Sequence, residues 1–425
     1  MKKLLFILIA LLLLASIYWF FNASIKYDQI SSGVSRPKAP DVIFHEVRIS
    51  EIYLGEKIWQ IEAEKAILDD KISSFLNSKL VFFKDKKPSI SIKSPRAQLD
   101  MAKRSIRIWQ ADSDFLTMPT ANLTSKTLFW DNREKTLTAR QDVRLKTLDY
   151  QLESKEALFV QSTDELIARG QVKVKTGQVR FSGRTCTYQM KQKKVTLSDS
   201  TARINRDIYL KADNIETDTR QIIAYPEVLL SYEKGIRGRA DKAVYIIPQN
   251  YGVLEGSVKI TRGKTAITGK KVYIDQESVR IPGRVQLARP DFTILADTAE
   301  YNPDKESAVL SGNCRFRQNK GFINSREMHL SGNVLALSGM VKLEKEDMKA
   351  TAESAIYYPD TQKIILNGNS RVQKADDLVS SEQIIVWLKT KKVLTTKGSA
   401  GDDPSKQPDE KKRTKVKISS EILFK

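Results

Sequence analysis

The run "AEYNPDKESAVLSGN", from Ala299 to Asn313, decides how the chain is read. A relative of it, "AVYIIPQNYGVLEGS", starts at Ala243, and another, "AIYYPDTQKIILNGN", starts at Ala355, so the three lie 56 residues apart. Each reads Ala-x-Tyr, then a polar stretch with a proline, then an aliphatic pair, one residue and glycine. A turn-forming stretch between two segments of alternating apolar residues is the pattern of a β-hairpin. Halfway between the three copies comes a second set, "ITGKKVYI" from Ile267, "INSREMHL" from Ile323 and "VSSEQIIV" from Val379, again 56 residues apart. His329 takes an aromatic position in that set and is expected to pack.

The period is therefore about 28 residues, room for two strands and their turns. Gly256, Gly283, Gly312, Gly339 and Gly368 close successive units. Upstream, Trp130, Phe159 and Tyr188 keep a similar spacing and are followed eleven residues later by Gln141, Gly170 and Asp199. In "VKVKTGQVRFSG", from Val172 to Gly183, Val172, Val174, Val179 and Phe181 would face one way, as in a half-buried strand. A single hairpin cannot bury its apolar face, but a stack of them can. About twelve units fit between Asp41 and Gly398, roughly two dozen strands. The predicted fold is all-β, an elongated antiparallel jelly roll built from two facing sheets. A β-helix is the other arrangement, but it would favour Asn or Gly ladders at each corner, and the mid-unit turns argue for antiparallel strands.

Lys and Arg outnumber Asp and Glu by 71 to 51, a net charge of +20, which suits an anionic partner unless the lysines simply form a solvated face. Cys186 and Cys314 are 128 residues apart and read as buried free thiols. With only His45 and His329 and no ligand cluster at metal spacing, no metal and no cofactor are expected. Lys2 and Lys3 precede an apolar run from Leu4 to Phe21, about 27 Å long as a helix. A cleaved signal peptide competes with a retained anchor. Leu13 stands where a cleavage site wants a small residue, and "YWFF" (Tyr18 to Phe21) resembles an interfacial aromatic belt, which favours the anchor. Everything after it would then be exported, and no nucleic-acid partner is expected.

At Gly55 the chain reads "GEKIWQIEAEKAILDD", where Trp59 with Ile61, Ala63 and Ala66 resembles the opening of the LptC family, membrane-anchored proteins of lipopolysaccharide export. The repeats from about residue 120 resemble the OstA-like (LptA-type) domain of the same pathway, whose units read A-x-x-x-Y and then L-x-G-x-V. The organisation expected is an anchor at 1–25, a linker at 26–40, an LptC-like portion at 41–145 and LptA/OstA-like repeats at 146–398. A polar, charged, disordered segment at 399–415 and a terminal strand at 416–425 would follow. The chain is about twice as long as ordinary members of either family. The resemblance implies a single-pass inner-membrane protein with its C-terminal part in the periplasm. Its partners would be lipopolysaccharide, an inner-membrane ABC transporter of the Lpt type, and another jelly-roll bridge or outer-membrane β protein.

No catalytic constellation is present, so no enzyme is expected: the acids are scattered over turns and neither histidine has a nucleophile in a known motif. Two facing sheets can instead leave an apolar trough, and each methylene buried there contributes about 0.8 kcal/mol. Candidate groove residues are Trp59, Ile61, Ala63, Val172, Val174, Val258 and Val341. The alternative is a periplasmic scaffold that binds no lipid. Two sheets of a dozen strands each would reach about 60 Å. "ISSEILF", from Ile418 to Phe424, restarts the repeat, so Ile418, Ile422 and Phe424 are the candidate edge for pairing with a partner strand, unless that strand folds back on its own sheet.

Overall fold

The structure, a computed structural model, describes residues 42–397 apart from 70, 118–119, 206, 233–234 and 276. The expected anchor, linker, disordered segment and terminal strand lie outside the described residues. From Val42–Tyr53 to Lys392–Lys397 there are 27 strands, all in one sheet, each hydrogen-bonded antiparallel to the next in sequence around a three-residue 3₁₀ turn at Ile247–Gln249. Antiparallel pairing throughout excludes the β-helix. The one local exception to simple succession is a split. Ile208–Thr217 pairs through its first half with Val228–Tyr232 and through its second with Gln221–Tyr225, and Tyr251–Arg262 meets Ile236–Ala240 and Lys242–Ile246 in the same way. These four short strands make two rungs, interrupted at Pro226 and Asp241.

Among the described residues there is one sheet and not two, and it is creased lengthwise. In Met348–Tyr358 the buried residues are Met348, Ala350 and Ala352, then Ala355 and Tyr357, so the inward parity changes once in mid-strand. The same three-residue step recurs in alternate strands, and the residue just before it is always small: Ala63, Ser94, Ser125, Ser154, Gly183, Ala212, Ala240, Gly269, Ala296, Ser325, Ala352 and Ser381. On the inside of a fold the side chains of both walls converge, so a large one would overpack. The serines serve a further purpose. Ser94, Ser125, Ser154 and Ser325 donate through Oγ to the carbonyl oxygen two residues on, at 2.6, 3.1, 3.0 and 2.9 Å. The bend has pulled those carbonyls off the regular ladder, and an unmet buried carbonyl is costly.

The intervening strands bend through a bulge with left-handed backbone. Glu46, Asn77, Gln110, Gln141, Gly170, Asp199, Glu227 and the five repeat glycines all have positive φ. The glycines therefore sit in the middle of strands, at the crease, and not at the hairpin turns where the unit boundary was expected. Gly312 (φ +76°) and Gly368 (φ +76°) show why the residue type matters: a Cβ would come within 2.6 Å of Asp297 Oδ2 and of Glu353 Oε2 respectively. Those carboxylates also accept from Asn313 Nδ2 at 2.7 Å and Asn369 Nδ2 at 2.6 Å, which closes the outside of the bend.

Because every long strand runs through the crease, it belongs to both walls, and the four short strands supply the two walls in pairs. Strand number therefore counts along the axis, 25 rungs once the split strands are merged. At about 4.8 Å per rung the contour is about 120 Å, twice the reach expected from two separate sheets.

Gly312→Ala combines strain at positive φ with a steric conflict and should cost about 2 kcal/mol in urea denaturation. Gly332→Ala, at a turn with nothing within 4 Å of the new Cβ, should cost less. Equal losses would remove the crease from the account.

Candidate functional site

Opposite the crease, the strand ends of the two walls meet in a seam. The first wall ends in turns such as Asp85–Lys86 and Glu346–Asp347, the second in turns such as Gln161–Asp164 and Pro359–Gln362. Most turns that meet are three strands apart in sequence, while Lys84 and Asp164 stand at turns five apart. Inside the seam, aromatic pairs fill the gap: Phe82 with Trp130 at 4.3 Å between ring centroids, Phe115 with Phe159 at 4.9 Å, Tyr150 with Tyr188 at 5.5 Å and Phe316 with Tyr357 at 5.1 Å. Outside, polar groups lock it. Lys84 Nζ donates to Gln161 O at 2.6 Å and to both oxygens of Asp164 at 2.9 Å, and Lys191 reaches Asp164 at 2.8 Å. Tyr150 donates to Lys193 O, Arg289 to Gly332 O, and Lys345 to Leu388 O.

Between these locked stretches the seam opens. Among the described residues no hydrogen bond or ion pair joins Asn205, Asp207 or Tyr232 to Asn250 or Asp275 across the opening. A cleft of about 870 Å³, counting space open to solvent, lies there, lined by Ile208, Leu210, Leu230, Tyr232, Tyr245 and Ile274 among others. Asn205, Asp207, Asn250 and Asp275 stand at its rim. Ile208, Leu230, Tyr232 and Ile274 are only half-buried, unlike the core on either side. The cause is visible in the repeat. The seam-side position of the second wall holds Trp130, Phe159, Tyr188, Tyr245, Tyr301 and Tyr357, while Thr217, Ile274 and Leu330 lack the ring; Leu330 is still buried, but Ile274, beside the broken rungs, is not. An isoleucine is too short to reach the facing wall. Burial raises the Tyr245 hydroxyl above the ordinary phenol range, and it donates to Asn250 Oδ1.

The groove candidates face the interior as their alternation required, yet they do not line this cleft. Trp59, Ile61 and Ala63 are buried near the start of the sheet, and Trp59 Nε1 donates to Glu51 at 2.5 Å. Val172, Val258 and Val341 sit at the crease and Val174 beside it, all at most 2% exposed and packed into one continuous core. Ile418, Ile422 and Phe424 lie outside the described residues. Periodicity found the inward face but not where that face is unfilled; the missing aromatic at Ile274 and the broken strand at Pro226 were the available signals.

His329 is exposed on the outer face while Leu330 packs inward, so the aromatic position of that set is not a core position. Cys186 and Cys314 are buried and unpaired, and burial pushes their thiols up to about 12 and about 11. Among the described residues no group of His, Cys, Asp or Glu could hold a metal ion, and no helix is long and apolar enough to cross a membrane.

Two outcomes follow from the seam. Ile274→Tyr should fill the cleft, raise Tm by a few degrees and reduce the fluorescence of an apolar dye that binds there. An unchanged dye signal would mean that the cleft is not the binding space. Asp164 supplies the second. Its burial alone would raise its pKa, but hydrogen bonds from Lys191 and Lys84 outweigh that and hold it below the ordinary carboxyl value. A depressed folded pKa contributes stability above the unfolded value that is lost as pH falls through the folded one. Asp164→Asn should therefore cost about 1–2 kcal/mol at pH 7 and flatten the stability curve in the acid range below pH 4. A variant whose acid-range slope matches the parent would contradict the lock.

No curated protein matches the chain. A similar solved structure is that of LptH, described as the LptA homologous periplasmic component of the lipopolysaccharide transport device from Pseudomonas aeruginosa. It is 18% identical, covers 28% of this chain and 90% of its own, and has a TM-score of 0.24. The family described as LptA/(LptD N-terminal domain) LPS transport protein matches at residues 151–280, 239–334 and 293–392, which together make up more than half of the chain. The creased repeats of this chain thus belong to the LptA/(LptD N-terminal domain) family of lipopolysaccharide transport proteins.

Proposed function

We propose that this protein is a membrane-anchored periplasmic component of lipopolysaccharide export that carries the lipid through the interior of its creased sheet, from an inner-membrane ABC transporter toward the outer membrane. The observation that carries the reading is the interior itself: one apolar core running through every rung, with a lateral cleft where the seam is unlocked. Acyl chains gain about 0.8 kcal/mol per methylene on leaving water. The sugar and phosphate portion can stay outside, because the cleft opens between the walls. Elsewhere the seam would have to part for lipid to pass, exposing Trp59, Ile61, Ala63, Val172, Val174, Val258 and Val341 in turn. The apolar segment from Leu4 to Phe21 supports the anchor and the inner-membrane location. An LptC-like role for residues 41–145 rests on the motif around Trp59, and the continuation by LptA-type repeats would let one chain do part of a bridge protein's work. The strand Ile418 to Phe424 would pair with a further jelly-roll or outer-membrane β protein.

The packing of the interior outside the cleft favours a second reading, a periplasmic spacer that binds no lipid. Photo-crosslinkers separate the two. Placed at Ile208 and Leu230 in the cleft they should label lipopolysaccharide in cells, and at the outward positions Leu229 and Lys211 they should not. Equal labelling on both faces, or none, would leave only the spacer.

A further inference from the structure

Part of the positive charge is gathered in rows. Register places Lys175, Arg180 and Arg203 side by side on neighbouring strands, on the outer face of the first wall and next to the seam. One row further from the seam, Lys211 faces Leu229, which faces Arg239, which faces Lys259. The same outer face carries Arg315, Arg317 and Lys342 toward the C-terminal end. All are exposed. Lys173, Lys175 and Arg180 have no ion-pair partner among the described residues. On the second wall the outward row has apolar stretches, Ile223, Val244, Val253 and Tyr273 in register and later Ile356, Ile365 and Ile385, with Arg280, Glu300 and His329 between them. The lysines at the second-wall lip, such as Lys191, Lys193, Lys194 and Lys391, are engaged in ion pairs, so the row at Lys173, Lys175 and Arg180 is the basic group left open to a ligand on this stretch of the first-wall lip.

A second observation locates it further. The outer face is hollowed between Gln151 and Tyr232, enclosing about 1430 Å³ open to solvent, and Lys173, Lys175, Arg180 and Arg203 line this hollow. It shares Asp207 and Tyr232 with the apolar cleft, so the two adjoin. An amphiphile with acyl chains in the cleft would lay its polar end in the hollow. Lysine and arginine there match phosphate, which accepts charge-assisted hydrogen bonds from both.

We propose that the outer face of the first wall is an anion track beside the groove, with a phosphate-holding station in the Lys173–Lys175–Arg180–Arg203 hollow. It rests on the lipid-carrying reading and names where that lipid's phosphates sit.

The test uses the full chain in non-ionic detergent and two probes, lipopolysaccharide and the same material after chemical dephosphorylation. The parent should bind the phosphorylated form about tenfold more tightly, with the difference fading at high salt. The triple variant Lys173→Gln, Lys175→Gln, Arg180→Gln should bind both forms equally, at the level of the dephosphorylated one. A control triple on the crease side, Lys155→Gln, Arg169→Gln, Arg184→Gln, removes the same charge and should keep the preference. Loss of preference in the control to the same extent would reduce the track to net charge and overturn it. So would a parent that binds both forms equally, although the carrier reading would stand; a parent that binds neither sinks that reading itself. Inorganic phosphate and phosphatidylglycerol vesicles are the remaining probes. Saturable phosphate binding with no lipid preference would assign a free-anion site, and vesicle binding lost only in the first triple would assign a membrane-docking face; either result overturns the proposal.

Discussion

Everything in this molecule depends on bending each strand once in the middle. A flat antiparallel strip of two dozen strands would leave one whole apolar face in water, and the hairpins are too short to cover one another any other way. Folding the strip along its length buries that face against itself. The bend imposes two opposite demands on neighbouring strands: a small residue where the walls converge, and a left-handed bulge where the outer backbone must take up the slack. Ala, Ser or Gly answers the first at all twelve positions, and positive φ answers the second. Crease serines and crease-spanning carboxylates then satisfy the polar groups that the bend displaces.

The crease also determines how the other side behaves. Since the two strand ends are brought together only by the fold, the seam has no backbone ladder of its own. Side chains must hold it, aromatic rings within and lysine or arginine contacts without. Side-chain closure can be weakened locally without unravelling the sheet. Around Ile274 that has happened, where the aromatic is missing and two rungs are broken at Pro226 and Asp241. A seam closed by side chains is easier to open than a barrel closed by hydrogen bonds. A hollow lined by basic residues adjoins the apolar cleft, so this stretch of the seam is amphipathic.

The hairpins, their antiparallel order and the inward face were legible in the residues. Alternation assigns Val172 and Val174 to the core without reference to neighbours, and the 56-residue recurrence of Ala-x-Tyr announces stacking. The crease was half visible. Gly256 to Gly368 and the upstream Gln141, Gly170 and Asp199 mark it, but a glycine at the end of an apolar run reads as a turn unless the parity change at Ala352 or Ser325 is read with it. His329 misled for a related reason. A shift of one residue moves a side chain from core to solvent, and aligning sets by similarity does not fix which face each position takes.

By itself the sequence determined the local chemistry: which segments form strands, where they turn, and which side of each is apolar, because these follow from periods of two and from turn residues acting over a few positions. Only the tertiary structure decided what faces what. That one sheet makes both walls, that Phe82 meets Trp130 and Phe316 meets Tyr357, and that the lysine rows share a lip of the seam all depend on a three-strand offset between strand ends. The offset arises from the twist and crease of the whole sheet, a collective property that no short stretch of residues encodes.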